Sequence, residues 1–330
     1  MRFSPRTVGL AAAITTVAIW TFFILVARAS ASHGLRPLDI ALARVVGAGC
    51  VLLPWGGWLV RRDRREGRHA ASFFGLSPLP LRVTATAGLF GGLLYALLVY
   101  TGFFYAPAAH ASVLMPGSLP LWTALWAALM LGERITPARA LGLACVACGG
   151  LLVGGASLLK SFHGGEVWKG DLLFMSAALC WSIYTVLARR FGLDAVRATI
   201  AITVFAVFTY VPAYALGMMT GALPSRLGAV PWSEFAFQAL FQGVVSVALA
   251  GITFTQMVSR FGPVRSTMIT ALVPGLSALG AVLWLGEPLS WPLLAGLTLV
   301  TAGILFGVRS AAPKIPETIA TCARSTGATG

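Results

Sequence analysis

Residues 120–149 read PLWTALWAALMLGERITPARALGLACVACG, and residues 274–303 repeat the pattern without a gap as PGLSALGAVLWLGEPLSWPLLAGLTLVTAG. Twelve of the 30 aligned positions are identical at a constant offset of 154 residues. Leu and Ala matches arise readily in an apolar chain, whereas matched Pro, Gly and Glu do not. The informative matches are Pro120/Pro274, Gly132/Gly286, Glu133/Glu287, Gly142/Gly296 and Gly149/Gly303. They predict that the chain is a duplicated unit.

A second pair of segments supports the duplication. WTFFILVAR, from Trp20 to Arg28, returns as WSIYTVLAR, from Trp181 to Arg189, at an offset of 161. A longer basic loop at 61–68 in the first half accounts for the difference of seven residues. The first helix also resembles a cleavable signal peptide, because basic residues precede it and small residues follow it. Since an internal helix repeats it, we predict that it is retained.

The composition predicts a membrane protein. The 330 residues are 58% hydrophobic and 10% charged, and the mean hydropathy is +0.85. Soluble domains are roughly 25% charged, and a helix of roughly 20 apolar residues crosses a bilayer. Such stretches recur along the whole chain. We predict ten spans, at 8–27, 38–60, 83–104, 111–131, 138–159, 170–188, 197–219, 235–258, 264–286 and 291–308.

The net charge of +14 at first suggests a nucleic-acid partner, but its distribution argues against one. With a cytoplasmic N-terminus, 18 of the 24 lysines and arginines lie in cytoplasmic segments. Five lie on the other side, namely Arg28, Arg36, Lys160, Lys169 and Arg226, and Arg44 lies within a span. Because Lys and Arg concentrate in cytoplasmic loops, the charge predicts an inner (plasma) membrane protein with both termini cytoplasmic. Residues 309–330 are predicted to be a disordered cytoplasmic tail.

Each predicted half, 8–159 and 168–308, holds five helices. Since five is an odd number, the second half enters the membrane with the opposite orientation. The predicted fold is therefore an all-α membrane protein with ten transmembrane helices in two inverted-topology repeats. Repeats of this kind are typical of transporters, in which two similar halves rock about a shared site.

The repeated motif resembles the EamA family of the drug/metabolite transporter superfamily. The motif consists of a Pro in the fourth helix, a Leu-Gly-Glu turn and a Gly-rich fifth helix, and the resemblance covers residues 8–308. One departure is Pro288, which replaces the basic residue that Arg134 supplies in the first half. The resemblance implies ten helices, a central cavity lined by helices 1–4 and 6–9, peripheral helices 5 and 10, and export of amino acids or related metabolites.

Polar residues at helical spacing are candidates for the cavity wall. Helix 4 carries Ser112, Pro116, Pro120 and Thr123; helix 9 carries Ser266, Thr270, Pro274 and Ser277; helix 8 carries Gln238, Gln242, Ser246 and Thr253. Residues three or four apart share a helix face, and a polar stripe in a span faces protein or a water-filled cavity. The alternative is a kinked helix whose hydroxyls bond to their own backbone.

Aromatic and charged residues complete the candidate site. Trp20 and Trp181 lie too deep for an interfacial belt, so they are either packing residues or an aromatic wall. Tyr95 lies on a small-residue face of helix 3 and is either a core aromatic or a substrate contact. Arg44 either binds a substrate carboxylate or snorkels outward beside Asp39, which is predicted to cap helix 2. The full set of candidate substrate-cavity residues is Trp20, Arg44, Tyr95, Pro120, Thr123, Trp181, Tyr184, Gln242, Thr253, Thr270, Pro274 and Ser277.

The sequence carries no pattern typical of an enzyme. The four histidines are scattered through or beside loops without metal-ligand spacing, the cysteines within spans suit small buried positions, and no loop matches a phosphate-binding motif. We therefore predict no catalytic residue, no metal and no cofactor. The expected partners are a small-molecule substrate and membrane lipids, without nucleic acid, and a homodimer is compatible with the sequence. A lipid or lipid-linked sugar translocase and a drug efflux carrier of the same superfamily remain alternatives to metabolite export.

Overall fold

The computed structural model describes residues 5–32, 34–68 and 72–310, and these ranges contain helices and no strand. The predicted tail lies outside the described residues from residue 311 onward. The helices are α1 (Pro5–Ser30), α2 (Pro37–Arg65), α3 (Leu81–Tyr105), α4 (Ala108–Leu131), α5 (Pro137–Ser161), α6 (Val167–Arg190), α7 (Ala195–Met219), α8 (Trp232–Gln238, Ala239–Leu249 and Ala250–Thr270), α9 (Leu272–Leu285) and α10 (Trp291–Ser310).

Within the described residues, eight helices are long and apolar enough to cross a membrane. They belong to α1 to α8, and α9 and α10 contribute the shorter apolar helices Leu272–Leu285 and Trp291–Gly307. The prediction of an all-helical chain with several membrane spans is confirmed. The count of ten spans stays a prediction.

Two helices contain a π-helical segment at corresponding places. In α3 it covers Leu89–Leu93, and in α8 it covers Ala239–Leu249. The 154-residue offset carries the first segment to 243–247, which lies inside the second. π-Helical turns are rare and are frequent at functional sites. Their recurrence marks the middle of α3 and α8 as equivalent parts of the two halves.

The fourth helix is interrupted, which the sequence did not predict. Its first segment, Ala108–Leu114, is followed by a turn, and the second segment is Leu119–Leu131. Pro116 and Pro120 lack a backbone N–H, so the helical hydrogen bonds that would bridge this region cannot all form. The predicted polar stripe is therefore divided between two helical segments and does not form one continuous face.

The predicted boundary between helices 8 and 9, at 259–263, was wrong. Helical hydrogen bonding continues through Ala250–Thr270, and the break falls at Ala271. The chain nevertheless changes direction here. Along α8, Gln238 contacts Ser30 near the end of α1 and Thr253 contacts Thr16 nearer its start, so α8 runs antiparallel to α1. α9 runs back parallel to α1 and ends at Leu285, two residues before Glu287, which pairs with Arg28.

The glycines of the repeat bring α5 and α10 into close backbone contact. A Cβ atom on Gly142 would lie 2.8 Å from the Gly303 carbonyl oxygen, and one on Gly149 would lie 2.6 Å from that of Gly296. Gly142 corresponds to Gly296, and Gly149 to Gly303. The repeat correspondence therefore converts the Gly142–Gly303 contact into the Gly149–Gly296 contact. This reciprocity is expected for an interface around a local twofold axis.

Candidate functional site

Arg44 lies two turns into α2 and points to the interior of the helix bundle. Its Nη1 donates to the Gln242 carbonyl oxygen at 3.1 Å and lies 3.5 Å from the Tyr100 hydroxyl oxygen. Its guanidinium carbon lies 5.6 Å from the centre of the Phe23 ring. In the described part of the chain Arg44 forms no ion pair.

The alternative partner of Arg44 is engaged elsewhere. Asp39 accepts hydrogen bonds from the backbone N–H groups of Arg36 and Arg226, each at 3.0 Å, and from the Tyr214 hydroxyl at 2.5 Å. The bond from Arg36 confirms that Asp39 caps the start of α2. It also removes Asp39 as the outward partner of Arg44, whose charge is therefore not neutralised by a carboxylate in the described residues.

Gln242 lies in the π-helical segment of α8 beside Arg44. The Tyr100 hydroxyl donates to Gln242 Oε1 at 3.1 Å, and both side chains are buried. Gln242 Nε2 has no acceptor, and Gln238 Oε1 and Ser246 Oγ, four residues away on either side, also lack a partner within the described residues. A buried polar group left unsatisfied costs about 1–3 kcal/mol. Three buried side-chain atoms on α8, spaced four residues apart, therefore lack a hydrogen-bond partner in the described residues.

The predicted tryptophans both lie in aromatic clusters. Trp181 contacts Tyr95 and Tyr184, with ring centroids 4.9 and 5.3 Å apart, and Trp20 stacks on Phe254 at 5.3 Å. Trp20 and Trp181 are repeat counterparts. Each packs on the third helix of a half, α8 for Trp20 and α3 for Trp181, so the aromatic contact recurs in both halves.

Two crossed ion pairs join the halves. Arg28 pairs with Glu287 at 3.3 Å, and Arg189 pairs with Glu133. Arg28 corresponds to Arg189 and Glu133 to Glu287, so each half supplies one arginine and one glutamate to the other half.

The two ion pairs differ in their surroundings. Glu287 also accepts the backbone N–H groups of Ala108 and Ala109, at 2.9 and 3.0 Å, so it caps the start of α4. Its side chain is 9% exposed, whereas that of Glu133 is 32% exposed. The Arg28–Glu287 pair is therefore the more buried of the two and is also joined to the first turn of α4.

The remaining predicted residues are not gathered into one open space. Ser112 and Ser277 bond to carbonyls of their own helices, Ala109 at 2.7 Å and Val273 at 2.7 Å, which is the alternative reading of the polar stripe. Thr253 bonds to Thr16 at 2.9 Å. Thr123 and Thr270 are half-buried, as is Pro120, while Pro274 is buried.

Sequence reasoning missed several residues of the site. Tyr100, which joins Arg44 to Gln242, could have been found from the 154-residue offset, because its counterpart Phe254 is also aromatic. A polar cluster near the start of α4 was missed as well. There His110 Nδ1 lies 3.0 Å from Asp171, which also accepts from Ser157. No sequence spacing links these three residues.

One cavity, with a volume of about 440 Å³, lies at the end of the bundle that carries the α1–α2 turn. Its walls come from that turn, the C-terminal end of α3 and Arg226, and none of the twelve candidate residues lines it. Gln242 is fully buried, whereas Trp20, Arg44, Tyr95, Trp181 and Tyr184 are half-buried.

Comparisons with known proteins agree on the class of protein. A family model described as the EamA-like transporter family matches residues 7–155 and 168–309. The uncharacterized transporter YyaM of Bacillus subtilis is 26% identical over 238 residues, 71% of this chain and 74% of YyaM. A probable terminal-alkyne amino-acid exporter of Streptantibioticus cattleyicolor is 28% identical, over 68% of this chain and 72% of that protein.

Two further comparisons are a shorter sequence match and a superposition on a solved structure. The aromatic amino acid exporter YddG of Ancylobacter novellus is 32% identical over 115 residues, 35% of this chain and 39% of YddG. A crystal structure with 22% sequence identity superposes with a TM-score of 0.56, covering 93% of this chain and 97% of its own. At that identity the superposition supports the fold alone.

Proposed function

This chain belongs to the EamA-like transporter family, and on that premise we propose that it exports small zwitterionic or neutral metabolites, such as amino acids, across a bacterial-type inner membrane by alternating access. The family match confirms the resemblance found in the sequence. The substrate class, the driving force and the orientation are parts of the proposal.

The observation that carries the proposal is the group of Arg44, Tyr100 and Gln242. A cation within a membrane span costs about 2.5–3.5 kcal/mol or more, and Arg44 has only neutral partners in the described residues. Beside it, Gln242 Nε2 is a buried donor without an acceptor. A carboxylate would satisfy both groups, because it accepts hydrogen bonds from guanidinium and amide donors.

The surroundings of these donors fit a solute with an apolar body. Phe23 lies beneath the Arg44 guanidinium, and the Tyr95–Trp181–Tyr184 cluster lies on neighbouring helices. Aromatic walls bind apolar groups through large contact areas. A single cation among such walls favours a monocarboxylate over a multiply charged phosphate.

The symmetry of the contacts supports alternating access. The crossed pairs Arg28–Glu287 and Arg189–Glu133 lie at opposite ends of the bundle, and the sequence charge predicts that the first faces outward. Only Glu287 caps a helix, and its side chain is the less exposed of the two glutamates. We infer that the structure is closed on the outer side, and that the Arg189–Glu133 pair tightens when the protein opens outward.

The test is amino-acid transport by the purified protein in vesicles, with radiolabelled L-phenylalanine as the first probe. Tyr95→Ala, Trp181→Ala and Gln242→Leu are each expected to lower the transport rate while leaving the folded yield near that of the wild type. Leu158→Ala, on the exposed face of α5, is the control and should transport normally. Unchanged transport in all three variants would show that these residues pack the core and do not contact the solute.

The alternatives predict different results. A lipid translocase would move fluorescent phospholipid between leaflets and would ignore L-phenylalanine. A drug efflux carrier would transport apolar cations, which the Arg44 guanidinium would repel. Transport of phospholipid or of cationic dyes without any amino-acid transport would replace the proposal by the corresponding alternative.

A further inference from the structure

The cavity at the α1–α2 turn has the size of a small-molecule site. Its volume is about 440 Å³, and small-molecule pockets run from about 300 to 1,000 Å³. Its lining includes Arg36 from the α1–α2 turn, Thr101 and Tyr105 from α3, and Arg226 from the segment that precedes α8. It therefore lies between segments of both halves.

Two arginine side chains line this cavity without an ion-pair partner in the described residues. In the described part of the chain, neither the Arg36 nor the Arg226 guanidinium forms an ion pair or a hydrogen bond. Two of the other cations predicted on the outer side are paired, because Arg28 binds Glu287 and Lys169 binds Glu166. The described residues that line the cavity thus carry two positive charges and no carboxylate.

Asp39 fixes the position of both arginines without neutralising their side chains. Its carboxylate is fully buried and accepts the backbone N–H groups of Arg36 and Arg226, both at 3.0 Å, together with the Tyr214 hydroxyl. Two chain segments that are 190 residues apart in sequence are thereby tied to one carboxylate. The guanidinium groups stay available to a ligand in the cavity.

The other wall of the cavity is aromatic and hydroxylic. Phe104 and Tyr105 contribute rings, and Thr101 contributes a hydroxyl that has no hydrogen bond within the described residues. Guanidinium groups bind carboxylates through two parallel hydrogen bonds, and rings bind apolar groups. The combined lining suits a carboxylate attached to an apolar or aromatic body.

The cavity also lies next to the central group. Thr101 directly follows Tyr100, whose hydroxyl contacts Arg44. Arg36 precedes Arg44 by eight residues, which is about 12 Å along a helix. Arg44 and the cavity therefore follow one another from the centre of the bundle toward its outer end.

We propose that this cavity is an outer binding site for the carboxylate group of the exported solute, with Arg36 and Arg226 as its anion-binding pair. The proposal rests on the proposed export function, since it assigns the cavity to the exit side. It adds that the transported solutes carry a carboxylate and occupy a second site before release.

The site can be tested by binding, without transport. The full-length protein in phosphatidylcholine nanodiscs is titrated with 4-fluorophenylacetate and with its uncharged amide, and binding is followed by fluorine NMR. We expect the acid to bind about tenfold or more tightly than the amide, the scale of one charge-assisted hydrogen bond. Equal binding of acid and amide would overturn the proposal.

Variants locate the binding site. Arg36→Gln and Arg226→Gln should each weaken acid binding about tenfold, and Arg226→Lys should retain part of it. Lys160→Gln removes a predicted outer-side cation that does not line the cavity, so it should bind normally. Melting temperatures confirm that each variant is folded. If Lys160→Gln weakens acid binding as much as Arg226→Gln does, the acid is attracted by the overall positive charge of this side. That result would overturn the proposed site.

Two further arms separate this site from its neighbours and from the proposed function. Arg44→Gln should leave outer binding in place, and loss of binding in that variant would move the site to the centre.

Loss of acid binding in nanodiscs containing phosphatidylglycerol would assign the cavity to a lipid head group instead. If wild-type vesicles transport amino acids but the acid never binds here, the outer site fails and the export function stands. If the acid binds here but no amino acid is transported, the export function fails.

Discussion

At the scale of single residues, Arg44 is the side chain whose environment is hardest to explain by folding alone. Its neighbours are the Tyr100 hydroxyl, the Gln242 carbonyl and the Phe23 ring. A structural arginine normally pairs with a carboxylate, as Arg197 in the first turn of α7 does with Asp63 at 2.6 Å. Arg44 instead keeps its charge beside an unused amide donor, which is the arrangement expected of a ligand-binding group.

Replacing Arg44 therefore should separate function from stability. We expect Arg44→Gln to lower the apparent affinity for amino acids about tenfold or more, because it removes a charge-assisted hydrogen bond worth about 1.5–3 kcal/mol. Its melting temperature should equal or exceed that of the wild type, because an unneutralised cation leaves the span. Transport kinetics and a thermal melt measure the two effects.

Arg61→Gln is the matched control for Arg44→Gln, since Arg61 is exposed at the opposite end of the same helix. It should change neither transport nor melting. A large loss of stability in Arg44→Gln with unchanged transport per folded molecule would instead identify Arg44 as a structural residue.

At the scale of elements, the α5–α10 pair depends on glycines that the repeat matches. Gly149 faces the Gly296 carbonyl oxygen, and a Cβ there would approach it to 2.6 Å. Without a strong hydrophobic drive between helices in lipid, close packing of small residues holds such pairs together. The close approach of the backbones thus stabilises the contact between the two halves.

Substitution by alanine tests this packing against an internal control. Gly149→Ala should destabilise the protein by about 1–3 kcal/mol, because the added methyl group forces the two backbones apart. Gly154→Ala lies in the same helix with nothing within 4 Å of its added Cβ. It should be neutral or stabilising by up to about 1 kcal/mol, owing to the higher helix propensity of alanine. Chemical denaturation in detergent measures both, and equal effects would remove the role assigned to the glycine contact.

At the scale of the whole molecule, the two crossed ion pairs lie in different surroundings at the two ends of the bundle. The Arg28–Glu287 pair is joined to the capped start of α4, whereas Glu133 contacts Arg189 and lies 3.8 Å from Arg139 near the surface. Two structurally equivalent pairs in unequal environments are expected of a protein that alternates between two related states.

Weakening one pair should shift the population of those states. Glu287→Gln should raise the reactivity of a cysteine at position 96 toward a membrane-impermeant maleimide added outside. Ala96 is buried in α3, one turn from Tyr100, so it reports on outward opening. Loss of about 1–2 kcal/mol from the closed state corresponds to roughly 5–30-fold in reactivity. The measurement uses a background without native cysteines.

Glu133→Gln serves as the opposite control for Glu287→Gln. It weakens the pair at the other end of the bundle and should not raise labelling from outside. Increased outside labelling in both variants would mean that the two pairs only stabilise the fold, and would contradict their assignment as reciprocal gates.

The orientation of the molecule is a further prediction at this scale. The excess of Lys and Arg in alternate loops predicts that both termini are cytoplasmic. A fluorescent protein fused after Arg309 should therefore fold and fluoresce, whereas alkaline phosphatase fused there should be inactive. An active phosphatase fusion at that position would reverse the topology and exchange the outer and inner assignments made above.

The sequence by itself determined the class of the molecule and its duplication. Apolar content, the repeated Leu-Gly-Glu turn at Gly132 and Gly286, and the spacing of the spans are local properties, because each helix satisfies its own backbone hydrogen bonds in lipid. They were enough to predict an all-helical membrane protein of this transporter family. The left-handed glycines that end α4 and α9, with φ of 68° and 65°, also follow from local sequence.

Only the tertiary structure decided which residues meet. Tyr100 joins Arg44 to Gln242, and Arg28 reaches Glu287 across 259 residues of sequence. Contacts of this kind depend on how helices from different halves cross, and helical periodicity fixes only the face on which a side chain lies. The π-helical segments of α3 and α8 further change that face within the helix. Periodicity could therefore nominate polar and aromatic residues, but the packing of the two halves selected the few that share a site.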